Sequence, residues 1–541
     1  MSPDPILLEV FRSLFFSASE EMGVALCRSS FSPNIKERRD YSCALFDAEG
    51  RMAAQAAHLP AHLGSMPMSV EYVIGRMRLD PGDMVALNDP FHGGNHLPDI
   101  TLIAPVYAGK RLVYYAANRA HHADVGGSAP GSMSITTEIF QDGVVIPPVR
   151  LVRGGKVEED VLALILANVR TPEEREGDLS AQIAANRVGE RRLLEIIGRH
   201  GLPAALRYTR ELQAYAERMT RAAIRSIPDG AYRFEDFMDD DGAGSGPVPI
   251  RVEVTVKGDR LRVDFTGSAP QTRGSVNAVE SIARTAAYYA VRCLVPYDIP
   301  NNAGCMDPIE VIAPPGTVVN SVFPAAVAGG NVETSQRMVD VVLGALAQAC
   351  PGIVPAASCG TMNNLSIGGL DPRRGHRGGK SYAYYETTGG GMGGGPLGPG
   401  EDAIHTHLTN TMNTPVEALE HAYPFRVRRY TVRRGSGGRG LHRGGDGIVR
   451  EIELRADATV SFMTERRVLA PYPLKGGRPG ATGRNSLLRG GKAIRLPGKA
   501  RVEARAGDVI RIETPGGGGW GRPGKKDKAS LKGNRGRDKN P

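Results

Sequence analysis

Apolar residues recur every third or fourth position at the start of the chain. Leu8, Phe11, Leu14 and Phe15, then Met22, Ala25 and Leu26, share one side of a helical wheel, which predicts a helix over 5–30. Residues 40–55 predict two short strands around a turn at 48–50. The apolar runs at 101–107 and 111–120 are separated only by Ala108, Gly109 and Lys110, a hairpin signal. From 158 to 226 the pattern is helical, and Thr171, Pro172, Glu173 and Glu174 make a good helix start. Ile250, Val252, Val254 and Val256 alternate with polar residues, and after a turn so do Leu261, Val263 and Phe265. That is a hairpin with one buried face. Helices are expected at about 276–294 and 332–349. From 422 to 522 short strands and Gly turns dominate, and no fixed-period repeat is visible.

The elements predict a mixed α/β (α+β), multi-domain fold. An N-terminal α+β domain over 1–157 carries the hairpin, and a helical segment follows over 158–230. A central α/β region covers 231–420, a β-rich domain 421–522, and a basic tail 523–541. The length of 541 residues, beyond one ordinary core, agrees with several domains.

Charge changes this picture little. The stretch 524–541 holds seven Lys/Arg against two Asp, which is five of the chain's nine net positive charges. Such a tail is expected to be solvated, so no nucleic-acid partner is inferred. The six cysteines are scattered without a C-x-x-C pair, as expected for reduced thiols in a cytoplasmic protein. Glu9, Arg12, Glu20 and Glu21 interrupt the N-terminal apolar stretch and exclude an ordinary secretory signal. The longest uncharged run, 341–370, is broken by Pro351, Pro355, Asn363 and Asn364, so no membrane span is expected.

The candidate chemistry sits at the ends of the first hairpin. "NDPFHGGNHLPDI" at 88–100 carries His96 and Asp99, and "NRAHHADVGG" at 118–127 carries His121, His122 and Asp124. Residues paired in a hairpin have numbers that sum to a constant, about 218 for a turn centred on Gly109. Asp99 then faces Arg119, and His96 faces His122. Opposed side chains have Cβ atoms about 4.5–5.5 Å apart, near enough for two imidazoles and a carboxylate to share one ion. This donor set suits Zn, Mn or Fe and leaves open positions. The spacing leaves open whether His121 or His122 is the later ligand.

Other stretches are weaker. His58 and His62 are four apart, but Pro60 between them argues against a helical pair. His405 and His407 are expected to share one face of a strand. "GGGMGGG" at 389–395 lacks the Lys-Ser/Thr and the helix of a phosphate loop, and reads as a flexible lid or a backbone packed close to a ligand. Seven arginines between 426 and 443 read as an exposed strand face. No G-x-S-x-G elbow is present, which disfavours a serine hydrolase.

Together, "IKERRDYSCALFDAEGRMAAQAAHLPAHLGSMP", "NDPFHGGNHLPDITLIAPV", "RAHHADVGGSAPGSM", "GGNVETSQRMVDVV", "HTHLTNTMNTPVEALE" and "ETPGGGGWG" resemble the hydantoinase B/oxoprolinase family. The resemblance runs from about residue 30 to 521. It implies one subunit, or one half, of an ATP-dependent enzyme that opens hydantoins, 5-oxoproline or other cyclic amides. A related branch carboxylates ketones such as acetone or acetophenone, and a non-catalytic scaffold is a third alternative. It also implies a hetero-oligomer in which ATP is held by a hydantoinase A-type ATPase subunit. In the related acetone carboxylases a His-x-x-Asp pair and a later His hold a metal. Carried over, the divalent metal ligands are His96, Asp99 and His121. Asp40, His122 and Asp124 are then the candidate general bases or orienting groups.

Overall fold

The computed structural model describes residues 4–295, 299–374 and 379–524, so nearly all of the basic tail lies outside the described residues. The expected N-terminal helix forms as Pro5–Ser29, capped by the Asp4 carboxylate, which accepts from the Ile6 N–H. No described helix is long and apolar enough to cross a membrane.

Seven antiparallel strands make the sheet that carries the hairpin. Their order is Met52–Gln55, Tyr41–Asp47, Arg111–His121, Asp99–Ala108, Met84–Leu87, Val149–Arg153 and Lys156–Val157. Both faces are covered. Cys43, Leu45 and Tyr114 pack with Phe11, Phe15 and Met22 of the first helix and with Leu193 of helix Pro172–His200. Ala44, Phe46 and Tyr115 pack with Met66, Val70 and Val73 of helix Ser65–Ile74. Strand Tyr41–Asp47 is therefore buried at all seven positions instead of alternating.

The hairpin register differs from the expected one. Asp99 pairs with His121 and Thr101 with Arg119, so Asp99 does not face Arg119. Two features cause the shift. The loop is the two residues Gly109 and Lys110, half a position later than assumed, and Gly109 takes the left-handed φ of 64° that such a turn needs. An irregularity between Val106 and Tyr107 then adds one residue to the opposite strand.

A second sheet has the order Ile309–Ile312, Arg260–Asp264, Val248–Lys257 and Gly230–Met238. Its face of Ile250, Val252, Val254 and Val256 packs in one core with residues of helices Glu280–Arg292 and Ser335–Ala349. The remaining two sheets share a core. Leu365, Ile367 and Phe462 from one meet Ile452, Ile510 and Ile512 from the other. Strands Asn364–Asp371 and Lys380–Glu386, not predicted from the pattern, pair with each other, and Asn364–Asp371 pairs onward with Ala458–Met463 across residue 420.

The glycine-rich stretch 389–395 is not a lid. Gly391 N–H donates to Pro515 C=O and Gly394 N–H to Gly518 C=O, while Gly445 N–H donates to Met392 C=O. A Cβ at Gly391 would lie 1.9 Å from the Gly445 carbonyl oxygen. Backbone thus packs on backbone where only hydrogen fits, for the same steric reason that collagen demands Gly at its axis.

Candidate metal centre

Asp99 opens one strand of the hairpin and His121 closes the other, and the register sets them side by side. His96 is brought over them by a tight turn in which the Asp99 N–H donates to the His96 carbonyl at 3.1 Å. The strand end is fixed from both sides, since His121 N–H donates to Asp40 C=O and His122 N–H to Pro98 C=O, each at 2.9 Å.

Three atoms converge as a result. His96 Nε2 and His121 Nδ1 each lie 3.2 Å from Asp99 Oδ1, and 3.2 Å from each other. The three residues are 0–2% exposed. Ligand atoms held about 2.0–2.1 Å from one ion take roughly this separation. Asp99 Oδ1 is a buried anionic oxygen without a hydrogen bond of proper geometry, which the protein alone leaves unsatisfied. The residues present therefore fit a divalent ion.

Surrounding groups lock the triangle. Asp99 Oδ2 lies 3.3 Å from His62 Nε2 and accepts from Asn95 Nδ2, also at 3.3 Å. His62 Nδ1 is 2.9 Å from Ser42 Oγ, which fixes that ring from its other side. Tyr385 stacks on His121 with centroids 4.6 Å apart and planes at 16°. Burial by itself raises the Asp99 carboxyl, but His96, His121 and His62 outweigh it and hold Asp99 well below the usual range. Burial lowers both imidazoles, His121 against the pull of Asp40 and Asp99 and His62 against that of Asp99. Arg119 lies fully buried two pairs further along, bonded to Thr101, Ser65, Ser69 and the Gly93 carbonyl, none of them acidic.

A cavity of about 20 Å³ opens beside the triangle, lined by Asp40, His62, Asp99, His121, Asn331 and Tyr385 among others. That volume admits about one water. Burial raises the Asp40 carboxyl, opposed by His121 and Arg38, and the Arg38 guanidinium stands 3.7 Å away. A larger cavity of about 580 Å³, the size of a small-molecule site, shares Leu59 with the small one.

Of the three expected acid–base groups, Asp40 alone lines the small cavity. His122 is turned to helix Pro172–His200, with Nε2 2.9 Å from Gln182 Oε1, and burial followed by Arg175 lowers it to about 4. Asp124 is filled by the N–H groups of Gly126, Gly131 and Arg170 and by the Arg170 guanidinium, so it pins a loop.

Sequence reasoning passed over His62 because Pro60 breaks a helical pair. The 3₁₀ turn Pro60–His62 instead delivers the ring to Asp99. Asn331 and Tyr385 carry no local signal at all. His405 and His407 do not share a strand face, since no strand forms there and His407 adopts a left-handed φ of 58°. His407 Nε2 lies 3.5 Å from Asp340 instead.

Comparison with known proteins agrees with this architecture. A family model described as hydantoinase B/oxoprolinase matches residues 4–523. 5-Oxoprolinase 1 of Arabidopsis thaliana is 40% identical over 96% of this chain and 42% of its own length. This chain thus spans about two fifths of that longer relative. A protein of Pseudomonas sp. (strain NS671), named as the B component of a D-/L-hydantoinase, is 32% identical, covering 96% of this chain and 90% of the relative. The crystal structure of the ATP-dependent caprolactamase of Pseudomonas jessenii superposes with a TM-score of 0.91 at 30% identity, over 98% of this chain and 94% of that one.

Proposed function

The chain belongs to the hydantoinase B/oxoprolinase family, and from that premise we propose that it is the ring-opening component of an ATP-dependent cyclic-amide hydrolase. Its relatives are named for hydantoins, 5-oxoproline and caprolactam, all cyclic amides. The observation that carries the reading is the buried His96, Asp99 and His121 triangle beside a water-sized cavity and a neighbouring small-molecule cavity.

An amide carbonyl is a poor electrophile, so its oxygen is first phosphorylated with ATP by a companion ATPase of the hydantoinase A type. The activated ring then binds here, in the cavity of about 580 Å³ next to Leu59. His96, Asp99 and His121 would hold a divalent ion, which would supply charge stabilisation and lower the pKa of a nearby water. Asp40 takes a proton from the water that attacks the activated carbon at the wall of the small cavity, the ring C–N bond then breaks as nitrogen takes up a proton, and a second water releases phosphate from the acyl phosphate that remains. His62 and Asn95 keep the Asp99 carboxylate aimed, and Tyr385 holds the plane of His121.

The test is to purify the chain alone and with its companion ATPase, then assay ADP release with hydantoin, 5-oxoproline and caprolactam. Substrate-dependent release by the pair and none by the single chain is expected. ATP turnover by the single chain at the rate of the pair would overturn the division of labour.

A further inference from the structure

Asn331 stands beside the triangle on a five-residue π-helical turn, Gly330–Thr334, that runs into helix Ser335–Ala349. Such turns are rare and gather at functional sites. This one is pinned by its neighbours. Glu333 Oε1 accepts from Met362 N–H at 3.1 Å and from Asn364 Nδ2 at 2.6 Å, and Ser335 Oγ donates to the Asn331 carbonyl at 2.6 Å. A Cβ at Gly330 would lie 1.9 Å from the Asn277 carbonyl oxygen, so the preceding residue must be glycine for the turn to seat so deeply. The backbone, held this way, decides where the Asn331 amide sits.

That amide makes one polar contact and lacks another. Nδ2 lies 3.0 Å from His96 Nε2, and Oδ1 is buried without a partner. The two ends of an amide have the same shape and exchange by rotation about one bond. With Nδ2 towards His96, the amide uses the imidazole lone pair that an ion would use, and its oxygen goes unsatisfied. Once that lone pair binds an ion, the N–H loses its acceptor. Rotation then places Oδ1 about 3.0 Å from His96 Nε2, nearly the 3.2 Å edge of the triangle. One rotation thus gives the orphan oxygen a partner and adds a fourth corner.

We propose that Asn331 Oδ1 is a fourth protein ligand of the divalent centre, a step that rests on the metal-centre reading above. A neutral amide oxygen is a harder donor than imidazole, so it biases the site towards Mn²⁺ or Fe²⁺ and away from Zn²⁺. It also sits on an element that no hairpin argument reaches, so the centre joins the N-terminal sheet to the start of helix Ser335–Ala349.

The test uses the full chain stripped with EDTA and titrated with Mn²⁺, Zn²⁺ and Co²⁺, with no turnover measured. Asn331→Ala should weaken Mn²⁺ at least tenfold and Zn²⁺ less. Asn331→Asp, which keeps an oxygen at the same reach, should restore Mn²⁺ binding. The visible Co²⁺ spectrum should change in Asn331→Ala and return towards wild type in Asn331→Asp. Should Asn331→Ala not fold, Asn331→Gln takes its place, since one added methylene displaces the oxygen and should also weaken Mn²⁺. Failure of the wild-type chain to bind any of the three ions would remove the metal centre itself. Equal affinities and an unchanged Co²⁺ spectrum across folded variants would overturn the Asn331 assignment alone.

Discussion

Asp99→Asn separates the metal centre from the fold. Asp99 has two jobs, one per oxygen: Oδ2 takes His62 and Asn95 at 3.3 Å each, and Oδ1 meets His96 and His121 at 3.2 Å each. An amide in the same place keeps the first job by turning its oxygen towards His62 and Asn95. Its NH₂ then points at His96 Nε2 and His121 Nδ1 and donates to one or both lone pairs. The fold therefore loses little, about 1 kcal/mol or less. The ion loses its one anionic ligand and meets two hydrogens in its place. Changes to groups that merely support a metal ligand cost about 10–100-fold in affinity, so loss of the one charged ligand should cost at least about 100-fold, or about 2.7 kcal/mol. Asp99→Ala is a poorer experiment, because it strips His62 and Asn95 of their acceptor at roughly 1–3 kcal/mol for each buried group. The assay is elemental analysis after exhaustive dialysis, with thermal melting of the same samples. Metal content equal to wild type in a folded Asp99→Asn protein would remove Asp99 from the ligand set and with it the reasoning from the triangle.

Two further outcomes follow from the same geometry. Asp40→Asn keeps the size of the cavity wall but removes its proton acceptor, so it should lower kcat by about 10²–10⁴-fold at unchanged metal content. Parallel loss of metal would make Asp40 a ligand support. Asp142 accepts from Thr136 Oγ1 and Val327 N–H, and burial pushes its carboxyl up to about 6. A raised acid stabilises the fold below its unfolded pKa of about 4, and that stability is lost as pH rises through about 6. The loss is roughly 3 kcal/mol for a shift of about two units. Asp142→Asn can accept from Val327 and donate to Thr136, so it should melt higher than wild type at pH 7 and abolish the decline between pH 4 and 6. Parallel melting curves against pH would contradict this.

The legibility of this site depends on what sets each separation. The meeting of His96 and Asp99 with the His121–His122 pair was readable because one hairpin fixes their spacing, and a hairpin register is simple arithmetic on residue numbers. Even there the count missed by up to two residues, since an irregularity at Val106 and Tyr107 has no sequence signal. The metal triangle tolerates that miss because His121 and His122 follow one another on the strand, and the true register selects between them by face. His121 looks into the site and His122 looks at Gln182. The helices were readable for a related reason, since their period is local and Phe11, Phe15 and Met22 announce it within one element. The strands at 364–386 escaped because their partner, Ala458–Met463, lies beyond the expected domain limit and both sides of the sheet are largely buried.

His62, Asn331 and Tyr385 belong to a different class. They reach the hairpin from other elements, Asn331 across 235 residues from His96, and their positions follow from closure of the whole fold. Nothing in "GGNVET" marks an asparagine that must face an imidazole. What marks it is the Gly330 contact with the Asn277 carbonyl, a property of two chain segments and not of either one. A ligand contributed by local geometry can be read from one chain segment. A ligand contributed by closure is visible only as a consequence, here an amide oxygen buried with nothing to bind. Unsatisfied buried atoms are costly, and folds retain few of them. When Asp99 Oδ1 and Asn331 Oδ1 are both left without a partner on residues that contact His96 Nε2, the economical explanation for the two oxygens is a shared ion.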